Sequence, residues 1–188
     1  MENIGVYGGT FDPVHHAHLI LAREAADNFQ LARVILVPAA ISPFKPAPLT
    51  PADARLEMLR AATLGDALFA IDDCELQRPP PSYTVETVEL LRAKYSGAGL
   101  FLLLGDDNLA GLPRWHRYED LRKMVTIIIL SRARRCMTHE YEVVNRRIDI
   151  SSTEIRERVR ASKSIRYFVP PAVEDIITQR RLYQEVPR

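Results

Sequence analysis

The sequence predicts an α/β protein built on a doubly wound parallel sheet, with a small helical lobe at its C-terminal end. Three observations carry that expectation. Short β-branched or aliphatic runs alternate with longer stretches of helical period, the pattern of right-handed βαβ units. Several of the short runs are apolar almost throughout, as parallel strands covered on both faces are. Polar residues gather just behind two of them, in "GDDN" and "SSTEIRERV", at the strand ends where open α/β sheets bind ligands. With 188 residues the chain is sized for one domain with a real hydrophobic core.

The first predicted strand, Asn3–Tyr7, runs into Gly8-Gly9 and is followed by a helix over His15–Phe29. The second, Arg33–Pro38, reads "RVILVP" and is apolar after its first residue. Thr50 then suits the N-cap of a helix over Pro51–Leu64, with proline at its first position. A short third strand is expected at Leu68–Ile71, and a helix over Thr84–Tyr95 leads to the fourth, Gly99–Leu104. A helix over Tyr118–Lys123 precedes the fifth, Thr126–Ser131, and the sixth is expected at Arg147–Ile150. After Ser152 the chain reads as helical to its end, broken by Pro170-Pro171, so the lobe covers about residues 152–188. The proline-rich stretches at 41–51 and 77–83 are short enough to be ordered loops rather than linkers, and no internal repeat interrupts the pattern.

Composition excludes several partner classes. A formal net charge of +1 supplies no broad field for nucleic acid or a membrane surface, so binding must come from a local site. Cys74 and Cys136 stand in unrelated contexts and read as reduced, packed residues rather than a disulfide or zinc motif. The first residues lack the basic and apolar regions of a signal peptide, and the longest apolar run, "VTIIIL", is far short of a membrane span. A soluble cytoplasmic protein is expected, and a homo-oligomer is compatible with the sequence.

The chemistry begins at "GVYGGTFDPVHHAHL". Gly8-Gly9 lets the backbone turn tightly and a ligand come close, and a helix starting near His15 aims free N–H groups at an anion. Neither G-x-G-x-x-G nor a Walker lysine is present. His15 and His18 are spaced i, i+3 on one helix face, whereas His16 is turned about 100° away and reads as scaffold or surface. Paired imidazoles there suit phosphate oxygens. Two other readings stand beside this one: half of a metal site with Asp12 nearby, which lacks completing His or Cys residues, and ordinary surface histidines. A second anion site is offered by Ser151-Ser152-Thr153 at a strand-to-helix junction, with Arg156 one turn later. A simple helix cap from the same serines is the alternative, and the two can coexist.

"GGTFDPVHHAH" resembles the G-G-T-F-D-P-x-H-x-G-H signature of the nucleotidylyltransferase superfamily, and "ISSTEIR" (150–156) resembles its second signature. Within that superfamily the chain is most similar to the bacterial nicotinate mononucleotide adenylyltransferases, over nearly its whole length. The resemblance implies a Rossmann-like fold and transfer of an adenylyl group from ATP to nicotinate mononucleotide, giving nicotinic acid adenine dinucleotide and pyrophosphate in NAD biosynthesis. It also implies Mg²⁺ bound through the ATP phosphates rather than in a protein cage. Carried over residue by residue, it implies that Gly8, Gly9, Thr10 and Phe11 form the turn at the phosphates. His15 and His18 would stabilise the α/β-phosphate charge, while Ser151, Ser152, Thr153 and Arg156 hold the β/γ end, making His15, His18 and Arg156 the catalytic set. Lys45, in "SPFKP" where the family has P-P-H-K-P, would reach ATP and acceptor from across the cleft; Phe44 replaces the usual histidine. Gly105 and Asp107 match the family's G-x-D on the adenosine side, and Asp106 reads as structural.

"PSYTVET" (81–87) and "LPRWH" (112–116) match the family's S-Y-T-x-x-T and L-P-x-W, which implies acceptor contacts from Ser82, Tyr83, Thr84, Trp115 and His116. Trp115 offers a flat face for a pyridine ring, with a core aromatic as the alternative. Arg132, in "SRARR" where the family often has R-P-G, is expected on the acceptor side as well. Ala17 stands at a signature glycine, and Arg181 stands where glycine is common in the closing motif, so a left-handed cap there would be strained. Related enzymes acting on nicotinamide mononucleotide or phosphopantetheine, and a nucleotide-binding regulator without catalysis, are the alternative functions.

Overall fold

A computed structural model describes residues 2–41, 48–132 and 139–184. Six strands, β1 (Asn3–Gly9), β2 (Arg33–Pro38), β3 (Phe69–Ile71), β4 (Gly99–Gly105), β5 (Thr126–Ser131) and β6 (Glu142–Asn145), form one sheet in the order β3-β2-β1-β4-β5-β6. Every ladder is parallel. The chain winds outward in both directions from β1, which pairs with β2 on one side and β4 on the other. A crevice is therefore forced open beyond the carboxyl ends of β1 and β4, where the crossovers leave to opposite faces.

Pleat alternation sorts the strand residues onto two cores. Tyr7, Leu36, Leu103, Ile128 and Leu130 face one side, where Leu21, Ala22, Ala25 and Ala26 of α1 (His16–Phe29) cover them. Met58 and Leu59 of α2 (Ala52–Ala62), Ile155 of α5 (Ser152–Arg160), and Val173 and Ile177 of α6 (Pro171–Gln179) join the same cluster. Val6, Ile35, Leu102, Leu104 and Ile129 face the other side, under Val85, Val88 and Leu91 of α3 (Thr84–Lys94) and Leu121 of α4 (Tyr118–Met124). These side chains are almost all fully buried, and each Val, Leu, Ile or Met among them stabilises the fold by about 1.5–3 kcal/mol relative to exposure. The helical lobe thus packs on the α1 face and shares its core.

Two expectations are corrected. The sixth strand lies at Glu142–Asn145, not at Arg147–Ile150. Asn145 already pairs with Ser131, the last residue of β5, so residues 147–150 lie past the end of that ladder and run on as the link to α5. Pro170-Pro171 does not interrupt a helix but opens one: α5 ends by Ala161 and α6 begins at Pro171. A 3-10 helix over Asp106–Arg114, which apolar periodicity does not signal, follows β4. No helix among the described residues is long and apolar enough to cross a membrane.

Candidate functional site

Two clefts open at the carboxyl edge of the sheet, one on each face, and they meet at Gly8, Gly9, Thr10 and Asn108. The first, on the α1 face, carries the cationic groups of Arg132 and Arg156 on a mixed polar and apolar lining. The second, on the α3 face, carries the rings of Tyr83, Trp115 and His116.

The cationic cleft is shaped by the turn after β1. Gly8 has open space where a side chain would start, so ligand atoms can approach the backbone. A Cβ at Gly9 would stand 2.9 Å from Phe11 Cζ, so glycine is required there. Phe11 itself takes φ +48°, a left-handed conformation unusual for a bulky residue. That turn buries its ring against Tyr7 at 5.5 Å and His18 at 5.2 Å, both edge-on. The contribution of Phe11 to the cleft is to support His18 from behind.

His15 and His18 stack with ring centroids 3.7 Å apart. His15 is 1% exposed, and burial, reinforced by the charges of His18, Arg132 and His16, pushes its imidazole far below the usual range. It is neutral at any working pH. His18 Nδ1 accepts the His15 backbone N–H at 3.2 Å, so a neutral His18 carries its hydrogen on Nε2. His16 is half-buried, its N–H donating to the Phe168 carbonyl at 3.0 Å, which ties it to the scaffold.

Positive charge in this cleft comes from Arg132 and Arg156. Arg156 Nη1 donates to the Asp12 carbonyl at 2.7 Å and Nη2 to Thr153 Oγ1 at 3.2 Å. Ser152 Oγ donates to the Pro13 carbonyl at 3.0 Å, so the two signature segments are joined directly. Ser151 is a helix cap, its Oγ accepting the Glu154 N–H at 3.1 Å, and it lines the cleft as well. Cap and cleft coexist. Gly105 and Asp107 line the same cleft, while Asp106 Oδ2 accepts Ser131 Oγ at 3.1 Å and the Arg132 N–H at 3.3 Å, a fastening between β4 and β5.

In the aromatic cleft, Ser82, Tyr83, Thr84, Trp115 and His116 come together. The rings of Tyr83 and His116 lie 4.3 Å apart, and half-buried Trp115 packs at the edge of the α3-side core while facing the cleft. Beneath them Arg78 Nη2 donates to Thr87 Oγ1 at 2.6 Å, and Thr87 Oγ1 donates to Glu75 Oε1 at 2.7 Å. Burial raises the Glu75 carboxyl above the usual carboxylate range.

A family model described as cytidylyltransferase-like matches residues 6–158. The chain belongs to the cytidylyltransferase-like family. Within it, the chain is 38% identical to a probable nicotinate-nucleotide adenylyltransferase of Thermomicrobium roseum, over 99% of this chain and 94% of that one. A second protein of that name, from Gemmatimonas aurantiaca, is 40% identical over 98% of this chain and 94% of its own length. The full-length relatives group the chain with the nicotinate-nucleotide adenylyltransferases of the family. A solved structure of Plasmodium falciparum nicotinic acid mononucleotide adenylyltransferase complexed with NaAD superposes with TM-score 0.83 at 20% identity, over 97% of this chain and 98% of that one. That likeness establishes the Rossmann-like fold.

Arg132 lines the cationic cleft, and its Nη1 donates to the Ile150 carbonyl at 3.1 Å. Pleat parity accounts for it: Arg132 follows Ile128 and Leu130 at intervals of two and shares their face. Lys45, Phe44, Arg134 and Cys136 lie outside the described residues. Ala17, at the signature glycine, is fully buried. Sequence reasoning missed Asn108, which lines both clefts, although "GDDN" contains it. It also missed Arg55, whose Nη1 donates to the Thr10 carbonyl at 2.8 Å from a distant helix. Among the described residues no group of three or more His, Cys, Asp or Glu could hold a metal ion. The donors around the cationic cleft are N–H, O–H and guanidinium groups, which match oxyanions; the carboxylates on its lining are Asp12 and Asp107.

Proposed function

We propose that the chain transfers the adenylyl group of ATP to nicotinate mononucleotide, giving nicotinic acid adenine dinucleotide and pyrophosphate, as one cytoplasmic nucleotidylyltransferase unit of NAD biosynthesis. The observation that carries this reading is the junction of the two clefts at Gly8–Gly9–Thr10, with anion donors on one side and flat aromatic surfaces on the other. ATP takes the cationic cleft and the acceptor takes the aromatic one, so the acceptor phosphate and the ATP α-phosphorus meet beside Gly8, where the backbone is open. An acceptor phosphate oxygen attacks the α-phosphorus; the bond from that phosphorus to the β-bridging oxygen breaks, and pyrophosphate leaves with the electron pair.

Such a transfer needs alignment and charge stabilisation rather than a covalent protein intermediate. His18, with its hydrogen on Nε2, donates to the α-phosphate as charge builds there, and neutral His15 holds His18 by stacking and through its backbone N–H. Thr10 and the N-terminal turn of α5, with Ser152, Thr153 and Arg156, bind the β- and γ-phosphates, and Arg132 adds charge from the end of β5. Lys45 is proposed to reach the same phosphates. Mg²⁺ carried on the triphosphate supplies charge neutralisation to the leaving pyrophosphate. Trp115 stacks on the pyridine ring, and Ser82, Tyr83, Thr84 and His116 enclose it.

The test is pyrophosphate release with Mg²⁺-ATP and a panel of nicotinate mononucleotide, nicotinamide mononucleotide and phosphopantetheine. Fastest release with nicotinate mononucleotide is expected. Release with another acceptor alone would overturn the substrate assignment, and none with any acceptor would leave a nucleotide-binding regulator.

A further inference from the structure

Behind the wall of the cationic cleft lies a buried hydrogen-bond junction centred on Asp12, which is 4% exposed. Asp12 Oδ1 accepts the Tyr183 hydroxyl at 2.6 Å, and Oδ2 accepts the N–H groups of Leu49 at 2.8 Å and Thr50 at 3.3 Å. The Asp12 carbonyl accepts Arg156 Nη1, as described above. Arg55, 1% exposed, secures the neighbouring Thr10 carbonyl, and it lies near enough to Asp12 to feel its charge. The segment before α2 and the C-terminal end of the chain therefore converge on the Asp12 carboxylate, and α5 on the Asp12 backbone carbonyl.

Thr10, Asp12, Leu49 and Arg156 line the cleft, whereas Tyr183 and Arg55 do not. Tyr183 reaches Asp12 from the far end of the sequence because the chain reverses after α6 through left-handed residues, Arg181 at φ +51° and Tyr183 at φ +63°. Burial, and then the adjacent Asp12 charge, hold the Tyr183 phenol well above its ordinary range, so it donates to Asp12 at any working pH. Without that hydroxyl Asp12 Oδ1 loses its donor in a place water barely reaches, and the carboxylate is held on one side only, by the Leu49 and Thr50 N–H groups on Oδ2.

We infer that Tyr183 is a positioning residue: acting through Asp12, it fixes the Thr10–Pro13 turn and the Leu49–Thr50 segment against Arg156, and so shapes the triphosphate cleft. This rests on the reading that the cationic cleft takes ATP.

The experiment measures binding of a non-hydrolysable ATP analogue by calorimetry, together with KM for nicotinate mononucleotide, for wild type, Tyr183→Phe and Asp12→Asn. Tyr183→Phe removes one oxygen and keeps the packed ring. It should weaken the analogue about tenfold, the loss expected for one hydrogen bond to a charged group, with acceptor KM unchanged. Asp12→Asn, which keeps one acceptor oxygen where two are used, should weaken it further. A purely stabilising hydroxyl would lower Tm and the yield of active enzyme but move neither constant. Analogue affinity unchanged in Tyr183→Phe, or both substrates weakened equally, would overturn the inference even if Tm falls. Failure of wild type to bind the analogue would overturn it together with the ATP reading, whereas release with another acceptor would leave it standing.

Discussion

The two clefts are built in different ways. The aromatic rings of the one cleft, Tyr83, Trp115 and His116, sit on two short stretches, Glu75–Thr87 and Asn108–His116, set against a floor from β1, β2 and β4. The cationic cleft is assembled from segments that span the whole chain: the turn after β1, Leu49, the end of β5, the start of α5 and, through Asp12, Tyr183. The aromatic groups are thus held by their own loops and the sheet. Long-range construction makes the cationic cleft the place where distant substitutions register, because each wall is fixed by another wall rather than by its own neighbours.

The largest effect is expected inside the cationic cleft itself. His18→Ala should lower kcat by about a hundredfold or more, as loss of one preorganised donor to transition-state charge does, with little change in acceptor KM. Steady-state kinetics in both substrates reads this, and a normal kcat would break the division of labour between the clefts. On the other side, Trp115→Ala should raise acceptor KM by tenfold or more, from loss of stacking worth about 1–3 kcal/mol, and leave ATP KM alone. A matching rise in ATP KM would mean that the clefts are not independent.

A third difference concerns pH. His15 titrates far below its unfolded value, so below about pH 6.5 the unfolded chain binds a proton there that the native chain does not. Its contribution to stability is therefore intact above that pH and falls by about 1.4 kcal/mol per pH unit below it. Urea unfolding at pH 7 and pH 5.5 should show this slope in wild type and a shallower one in His15→Gln. Equal slopes would mean that His15 is not held neutral. The smallest effect is expected at Arg181. The N–H of Leu182 bonds to the Ile177 carbonyl at 3.0 Å and that of Arg181 to the Thr178 carbonyl at 3.2 Å, a Schellman ending with arginine in the left-handed position. Arg181→Gly should raise stability by about 1 kcal/mol, read as a higher Tm.

Much of this was legible before any coordinates. Five strands fall close to their expected positions because buried parallel strands are nearly continuous apolar runs, as "RVILVP" and "TIIILS" are. The sixth was misplaced because "RIDI" alternates like a strand, yet "EVVN" is what lies level with the end of β5. Counting in twos from Leu130 puts Arg132 on the α1 face, where it lines the cationic cleft.

What the sequence alone determined is the chemistry and the periodicity: glycines for a close approach, two histidines on one helix face, hydroxyls and Arg156 at a second helix start, and aromatics in one loop. Those depend on residue type and short spacing, which local geometry converts into position. Which residues hold which others was decided only by the tertiary structure. That Asp12 gathers Tyr183, Leu49 and Thr50, or that Ser152 closes onto Pro13, follows from where α5, α6 and β1 come to rest against one another. Such contacts join residues far apart in the chain. Each is the outcome of burying a shared core, and it leaves no spacing in the sequence to be read.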